Sequence, residues 1–189
     1  MTEHAVKEEL KYTYQDYCLF PEDKRYEIIN GDAYMVPAPL TRHQKIIGKL
    51  YVLMVDYLKK SPIGEAWIAP VDVVLSEHDI VQPDLLFITN ERKSIVTEAN
   101  VQGAPDWVCE ILSPSSIERD RDLKLKLYSR HGVKEYWIID PEARSIEVYC
   151  FEDNVLTLKQ TSLSGSAVSY LLPLFEARVD EVFAKIASS

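Results

Sequence analysis

Glu110 is the residue that most needs a physical explanation. It stands in Trp107-Val108-Cys109-Glu110-Ile111-Leu112, an otherwise apolar run. Apolar neighbours on both faces are the pattern of a central strand covered on both sides. A carboxylate there needs a cation, a network of donors or a raised pKa. Asp84 poses the same question in Val81-Gln82-Pro83-Asp84-Leu85-Leu86-Phe87, where it opens another apolar strand. Each has an ordinary explanation: a strand-end salt bridge for Glu110, a turn cap after Pro83 for Asp84. On adjacent strands, however, the two acids could share a hard divalent cation. Mg2+ takes one or two carboxylates and completes its octahedron with water and substrate phosphate.

Lys124 is the third candidate. On a helical wheel at roughly 100° per residue, Ile117, Leu123, Leu125, Leu127 and Tyr128 form one broad apolar arc, and Lys124 falls inside it. Its ammonium must either snorkel out or meet an acid inside. Arg119, Lys126 and Arg130 fall on the other side and read as a solvated face. A lysine beside a metal-bound carboxylate pair can orient an attacking water or help deprotonate it. The metal lowers the pKa of that water and stabilises charge on a phosphate. This is the minimum machinery for phosphodiester hydrolysis.

Three further residues are candidates beside ordinary alternatives. Glu27, on an early strand, is placed to bind a metal or an outer water, or else to form a cross-strand ion pair. His43 heads the apolar stripe of a long helix, the usual setting of a satisfied core histidine. Asp72, on an alternating strand, ranks below Asp84.

The elements that position these residues follow from periodicity and punctuation. Thr13 caps a short helix over residues 14–19. Strands over 25–30 and 32–36 meet at Asn30-Gly31, whose two residues favour positive φ. Residues 40–60 carry a helical apolar stripe of His43, Ile47, Leu50, Met54 and Tyr57. Strands follow at 65–69, 71–75, 85–89 and 106–112. Ser113-Pro114-Ser115-Ser116 is a loop and helix cap. The spacing then predicts a helix over 117–131 closed by Gly132. Strands at 135–140, 145–151 and 155–160 and a helix over 179–187 complete the chain. Many strands with two main helices between them make an α/β protein with a mixed sheet.

Several motifs in this order resemble the Uma2 family, also known as DUF820, placed in the PD-(D/E)XK nuclease superfamily. They are Tyr26-Glu27-Ile28-Ile29-Asn30-Gly31, Ala38-Pro39 with His43, Gln82-Pro83-Asp84, and Glu110 through Ser116. Asp120-Arg121 with Lys124 and Tyr128, and Gly132 through Pro141, continue the series. The resemblance runs from about residue 13 to 183. It implies a restriction-endonuclease-like core, a mixed central sheet flanked by helices, with an N-terminal β-hairpin, in a single domain over 1–189. It maps the aspartate of the superfamily motif onto Asp84 and its second acid onto Glu110, with the Ile111 carbonyl as a further metal ligand. The usual lysine position, two residues after the acid, holds Leu112. The family pattern places the lysine on the next helix instead, at Lys124. The early acid is Glu27, and the family position of His43 implies a phosphate-contacting or acid/base role. The activity implied is an Mg2+-dependent endonuclease, with Mn2+ a possible substitute, acting on DNA as a homodimer.

Composition bounds these readings. The chain has 189 residues, long enough for a core without disulfide or metal staples. A hydrophobic fraction of 47% with 27% charged residues excludes a disordered or fibrous protein. The polar N-terminus, residues 1–9, does not read as a signal peptide, and no apolar run reaches spanning length, so the expected location is cytoplasmic. Cys18, Cys109 and Cys150 lack zinc spacing and read as free thiols. The net charge of -9 argues against simple nucleic-acid coating. Residues 115–134 nevertheless carry six basic and three acidic residues; they are either a guide for a phosphate backbone or an ordinary charged helix face. Two other readings remain. One is a catalytically silent nuclease-fold module that binds nucleic acid or protein. The weaker one is a glycosidase using Glu27 and Glu110 as paired carboxylates.

Overall fold

The computed structural model describes residues 10–184. The polar segment at 1–9 and the end of the expected last helix, 185–187, lie outside the described residues. Helix α1 (Tyr14–Tyr17) starts at Thr13. The Thr13 hydroxyl accepts from the Asp16 N–H, and the Asp16 carboxylate accepts from the Thr13 N–H, a reciprocal cap. Strands β1 (Arg25–Ile29) and β2 (Asp32–Val36) form the expected hairpin. Asn30 and Gly31 turn it with φ of 54° and 78°, as a two-residue turn of this hand requires. Helix α2 (Thr41–Lys60) buries His43, Ile46, Ile47, Leu50 and Met54.

Then come β3 (Gly64–Ile68), β4 (Val73–Ser76), β5 (Asp79–Val81) and β6 (Leu85–Thr89). A 3₁₀ turn (Asn90–Ile95) leads to β7 (Val101–Gln102) and β8 (Trp107–Ile111). A π-helical segment (Arg119–Lys124) runs into α3 (Leu125–Arg130), followed by β9 (Glu135–Asp140), β10 (Ser145–Glu152) and β11 (Val155–Ser162). A small pair, β12 (Ser166–Val168) and β13 (Glu176–Arg178), and helix α4 (Val179–Val182) finish the described chain.

The central sheet has six strands in the order β11-β10-β9-β8-β6-β3. It is mixed: β8 and β9 run parallel, and the other neighbours are antiparallel. Alternation along each strand sorts the side chains onto two faces. Leu85, Phe87, Trp107, Cys109, Trp137 and Ile139 pack with Ile46, Ile47, Leu50 and Met54 of α2 and with Val179 and Val182 of α4. Leu86, Ile88, Val108, Tyr136 and Ile138 pack the other way, against Leu127 and Tyr128 of α3. Ile29, Val73, Val81 and Val101 join that second core. They come from a second sheet of five strands, β2-β1-β5-β4-β7. The first hairpin is therefore part of a layer covering the central sheet.

Two sequence expectations change here. Asp72 precedes β4 instead of lying within a strand. There its Oδ1 accepts from the Tyr17 hydroxyl at 2.7 Å and from Gln82 Nε2 at 2.8 Å. The helix expected over 117–131 begins as a π segment, and Ile117, expected in its apolar arc, is 44% exposed. A π turn closes i→i+5 bonds and advances less than 100° per residue. Side chains near its start thus face differently from their positions on an ideal wheel. Cys18, Cys109 and Cys150 are all free thiols, and the last two are buried. No helix among the described residues is long and apolar enough to cross a membrane.

Candidate active site

Strands β6 and β8 set Asp84 and Glu110 side by side. Leu85 pairs with Cys109 across the antiparallel ladder, so Asp84 and Glu110 form the next step of that register. Asp84 Oδ2 accepts from the Ile111 N–H at 2.8 Å. His43 Nε2, from the first turn of α2, lies 3.0 Å from the same oxygen. Two partners thus fix the aspartate, and its Oδ1 keeps no hydrogen-bond partner among the described residues.

Glu110 is 3% exposed. Its Oε1 accepts from Lys124 Nζ and from the Tyr128 hydroxyl, each at 2.8 Å. Its Oε2 has no protein partner among the described residues. Burial pushes its carboxyl well above the usual range, against the pull of Lys124 and with a further push from Asp120, Asp84 and Glu27.

Lys124 is where the π segment matters. Its ammonium lies 2.8 Å from Glu27 Oε1, 2.8 Å from Glu110 Oε1 and 3.5 Å from Asp120 Oδ1. Burial alone would lower its pKa, but the three carboxylates outweigh burial and raise it well above the ordinary lysine value. Lys124 therefore does not snorkel; it is a buried, protonated bridge between β1 of one sheet and β8 of the other. Glu27, 1% exposed, also accepts from the Gln82 N–H at 3.0 Å.

Asp84, Glu110, Lys124, Glu27 and His43 all line one cleft of about 510 Å³. Arg25, the Ala38-Pro39 turn, Ser113 to Ser116, Arg119 and Asp120 complete its walls. All five sequence-predicted side chains therefore come together, and Ile111 lines the same cleft. Asp72 does not join them; it lines a separate cavity with Trp67 and Asn100.

The sequence reading missed two members. Asp120 is 2% exposed, and its Oδ1 has no hydrogen-bond partner. It stands four residues before Lys124, a spacing that puts the two on one side of a helix; that was the available signal. Arg119, read from the wheel as solvated, turns inward because of the π segment. The basic stretch that it opens is internally neutralised. Arg121 pairs with Glu147 and Asp140, Lys126 with Asp122, Arg130 with Asp79, and Lys134 with Asp106. It is held by the fold and does not form a free basic face. Glu27 and Glu110, the pair of the glycosidase reading, line the same cleft and share the Lys124 ammonium, 2.8 Å from one oxygen of each.

The donor set suits a hard divalent cation that keeps most of its own water. No group of three or more His, Cys, Asp and Glu side chains is gathered as a metal cage among the described residues. What the cleft offers is two carboxylates, each with one oxygen fixed by protein donors and one left over. Mg2+ is commonly held in this way, by one or two carboxylates.

The chain is thus a mixed α/β protein with a mixed central sheet flanked by helices and with acids on neighbouring strands lining one cleft. A model of the Uma2 family, described as "Putative restriction endonuclease", matches residues 12–180, and the chain belongs to that family. A solved structure from Anabaena variabilis ATCC 29413, described as a putative nuclease belonging to DUF820, shares the fold with a TM-score of 0.74. It is 21% identical, and the match covers 91% of this chain and 97% of the other. No curated protein matches the chain.

Proposed function

We propose that the chain is an endonuclease that hydrolyses phosphodiester bonds in DNA, with Mg2+ or, in its place, Mn2+. The observation that carries this reading is the pair of unpartnered oxygens, Asp84 Oδ1 and Glu110 Oε2, on register-adjacent strands at one cleft. Asp84 and Glu110, with the Ile111 carbonyl, would hold the cation. The cation when bound would supply an acidified water and charge neutralisation at the phosphate. His43 is a positioning residue, since it holds the oxygen of Asp84 that also accepts from Ile111. Lys124 stabilises negative charge developing on the phosphate and orients the attacking water. Its protonated state makes it a poor base. Glu27 and Asp120 keep that ammonium charged and in place.

The chain would act as one domain and as a homodimer in the cytoplasm, two clefts serving the two strands of a duplex. Buried and exposed free thiols suit a reducing compartment. The test is nicking of supercoiled plasmid and cutting of linear DNA and RNA in Mg2+, Mn2+ or EDTA. Metal-dependent cleavage that disappears in Asp84→Ala and in Glu110→Ala is expected. Absence of cleavage on every substrate, or full activity in both variants, overturns the proposal. A catalytically silent binding module is the second reading, favoured by the Lys124 bridge that already satisfies one side of the acid pair. Nucleic-acid or protein binding unaffected by the two alanine changes would support it.

A further inference from the structure

Arg119 is held in the cleft in an unusual way. Its side chain is 12% exposed, yet its guanidinium donates no hydrogen bond to any described residue. One edge is anchored: Nε lies 3.5 Å from Glu27 Oε2. One face is covered: the guanidinium carbon lies 5.9 Å from the ring centroid of Tyr34. Tyr34 is the residue directly opposite Glu27 in the first hairpin, so a single rung supplies both anchors. The two terminal nitrogens are left with no partner, although Arg119 lines the cleft beside Ser113, Ser115 and Ser116. A guanidinium presents a planar fork that matches two oxygens of a phosphate. Its Nε is buried without a hydrogen-bond acceptor, which is unfavourable, while the two terminal nitrogens stay open to the cleft, where an incoming anion can accept from them. All the other basic residues between 115 and 134 are paired with acids outside the cleft or inside the Lys124 cluster, so Arg119 alone presents an unspent fork to the cleft.

We infer that Arg119 and the Ser113–Ser116 loop form a subsite for a phosphodiester flanking the one that is cut. This rests on the nuclease reading above and adds a substrate contact to it. Glu27 and Tyr34 are positioning residues for the fork. Within the loop, Ser113 Oγ donates to Ser116 Oγ at 3.1 Å and Ser116 Oγ to the Ser113 carbonyl at 3.4 Å, which leaves the Ser115 hydroxyl, 3.2 Å from Ser113 Oγ, as the neutral donor lining the cleft.

The experiment uses the full-length protein and a fluorescein-labelled DNA duplex of about 20 base pairs. Anisotropy in EDTA is recorded over a range of NaCl concentrations for wild type, Arg119→Gln, Arg119→Lys and Tyr34→Leu. A phosphate contact predicts that Arg119→Gln lowers the log–log salt slope by about 1 and weakens binding roughly tenfold. Arg119→Lys should keep the slope and lose part of the affinity, because it keeps the charge without the fork. Tyr34→Leu should weaken binding without changing the slope. In cleavage assays Arg119→Gln should act more on KM than on kcat. A purely structural Arg119 would lower Tm in the glutamine variant and leave slope and KM where they were; that result overturns the subsite, as does wild-type protein that shows no DNA binding. The two readings fail separately. DNA binding with the predicted slope change but no cleavage keeps the subsite and removes the nuclease. Cleavage with unchanged slope and KM does the reverse.

Discussion

Lys124→Met isolates the buried ion cluster. The change keeps the length of the side chain and removes one charge. At an effective dielectric of ~20, two unit charges 2.8 Å apart attract by about 6 kcal/mol. The 3.5 Å contact to Asp120 adds about 5 kcal/mol on the same basis. Most of this gross attraction offsets the loss of hydration of four buried groups. The measurable part is what remains when one partner is deleted, about 3–5 kcal/mol for buried pairs. The upper half of that range is expected, because Lys124 is the cation shared by Glu27, Glu110 and Asp120. For a chain of this length 1 kcal/mol moves Tm by about 2–4 °C, so calorimetry should show a fall of roughly 8–20 °C. A second change, Glu110→Gln in the Lys124→Met background, should recover part of the loss by removing an unpaired acid. Its destabilisation in the wild-type background should not add to that of Lys124→Met. The reasoning fails if Lys124→Met melts within about 2 °C of wild type, or if the two changes are additive.

Other predictions concern separate parts of the molecule. Asp79 sits in a second ion cluster with Arg130 and His131. Burial alone would raise its carboxyl, but hydrogen bonds from His131, the Asn30 N–H and Ser76, with the charge of Arg130, hold it well below the usual range. Its folded pKa is thus below the unfolded one, so its contribution is complete above about pH 5 and is lost as pH falls through the acid range. Urea titrations from pH 6 to pH 2 should show a shallower acid loss in Asp79→Asn than in wild type; equal slopes would contradict this. Burial raises the Cys109 thiol well above its ordinary value and pushes Cys150 up to about 12. Ellman's reagent should therefore titrate Cys18 quickly in the native protein and the other two only after unfolding. Met54, on the inner face of α2, is fully buried, and Met54→Ala should cost about 2–5 kcal/mol in chemical denaturation. His43→Ala should leave Tm within a few degrees but weaken metal-dependent cleavage, because Asp84 then keeps one fixing partner instead of two.

The sequence showed most of the central sheet because its strands are five to eight residues long and alternate between two cores. The hairpin was equally legible, since Asn30-Gly31 names its own turn. Strands β5, β7, β12 and β13 have two or three residues each, too few for alternation to register. Their pairing depends on partners distant in the chain, so the second sheet was visible only as the hairpin and the strand expected at 71–75, which is β4. Of the site, Asp84, Glu110 and Lys124 stood out because a charge in an apolar context needs an explanation. Arg119 did not, because the wheel assumed 100° per residue where the backbone forms a π turn; Asp120 did not, although its i,i+4 spacing to Lys124 carried the signal. The partners of the basic segment were illegible for a similar reason: Glu147, Asp140, Asp79 and Asp106 reach it only through the tertiary fold.

The Lys124 bridge also makes the cleft conditional. Glu27 belongs to one sheet, Asp84 and Glu110 to the other, Lys124 to the π turn and His43 to α2. The five meet only when β1, α2, β6, β8 and the π turn are all packed together. Separation of the two sheets would pull the ammonium from at least one of its acids and, in the same motion, strip Ile29, Val73, Val81 and Val101 from the second core. The assembled centre is tied in this way to the docking of one layer on the other, with the Lys124 ammonium as the latch between them.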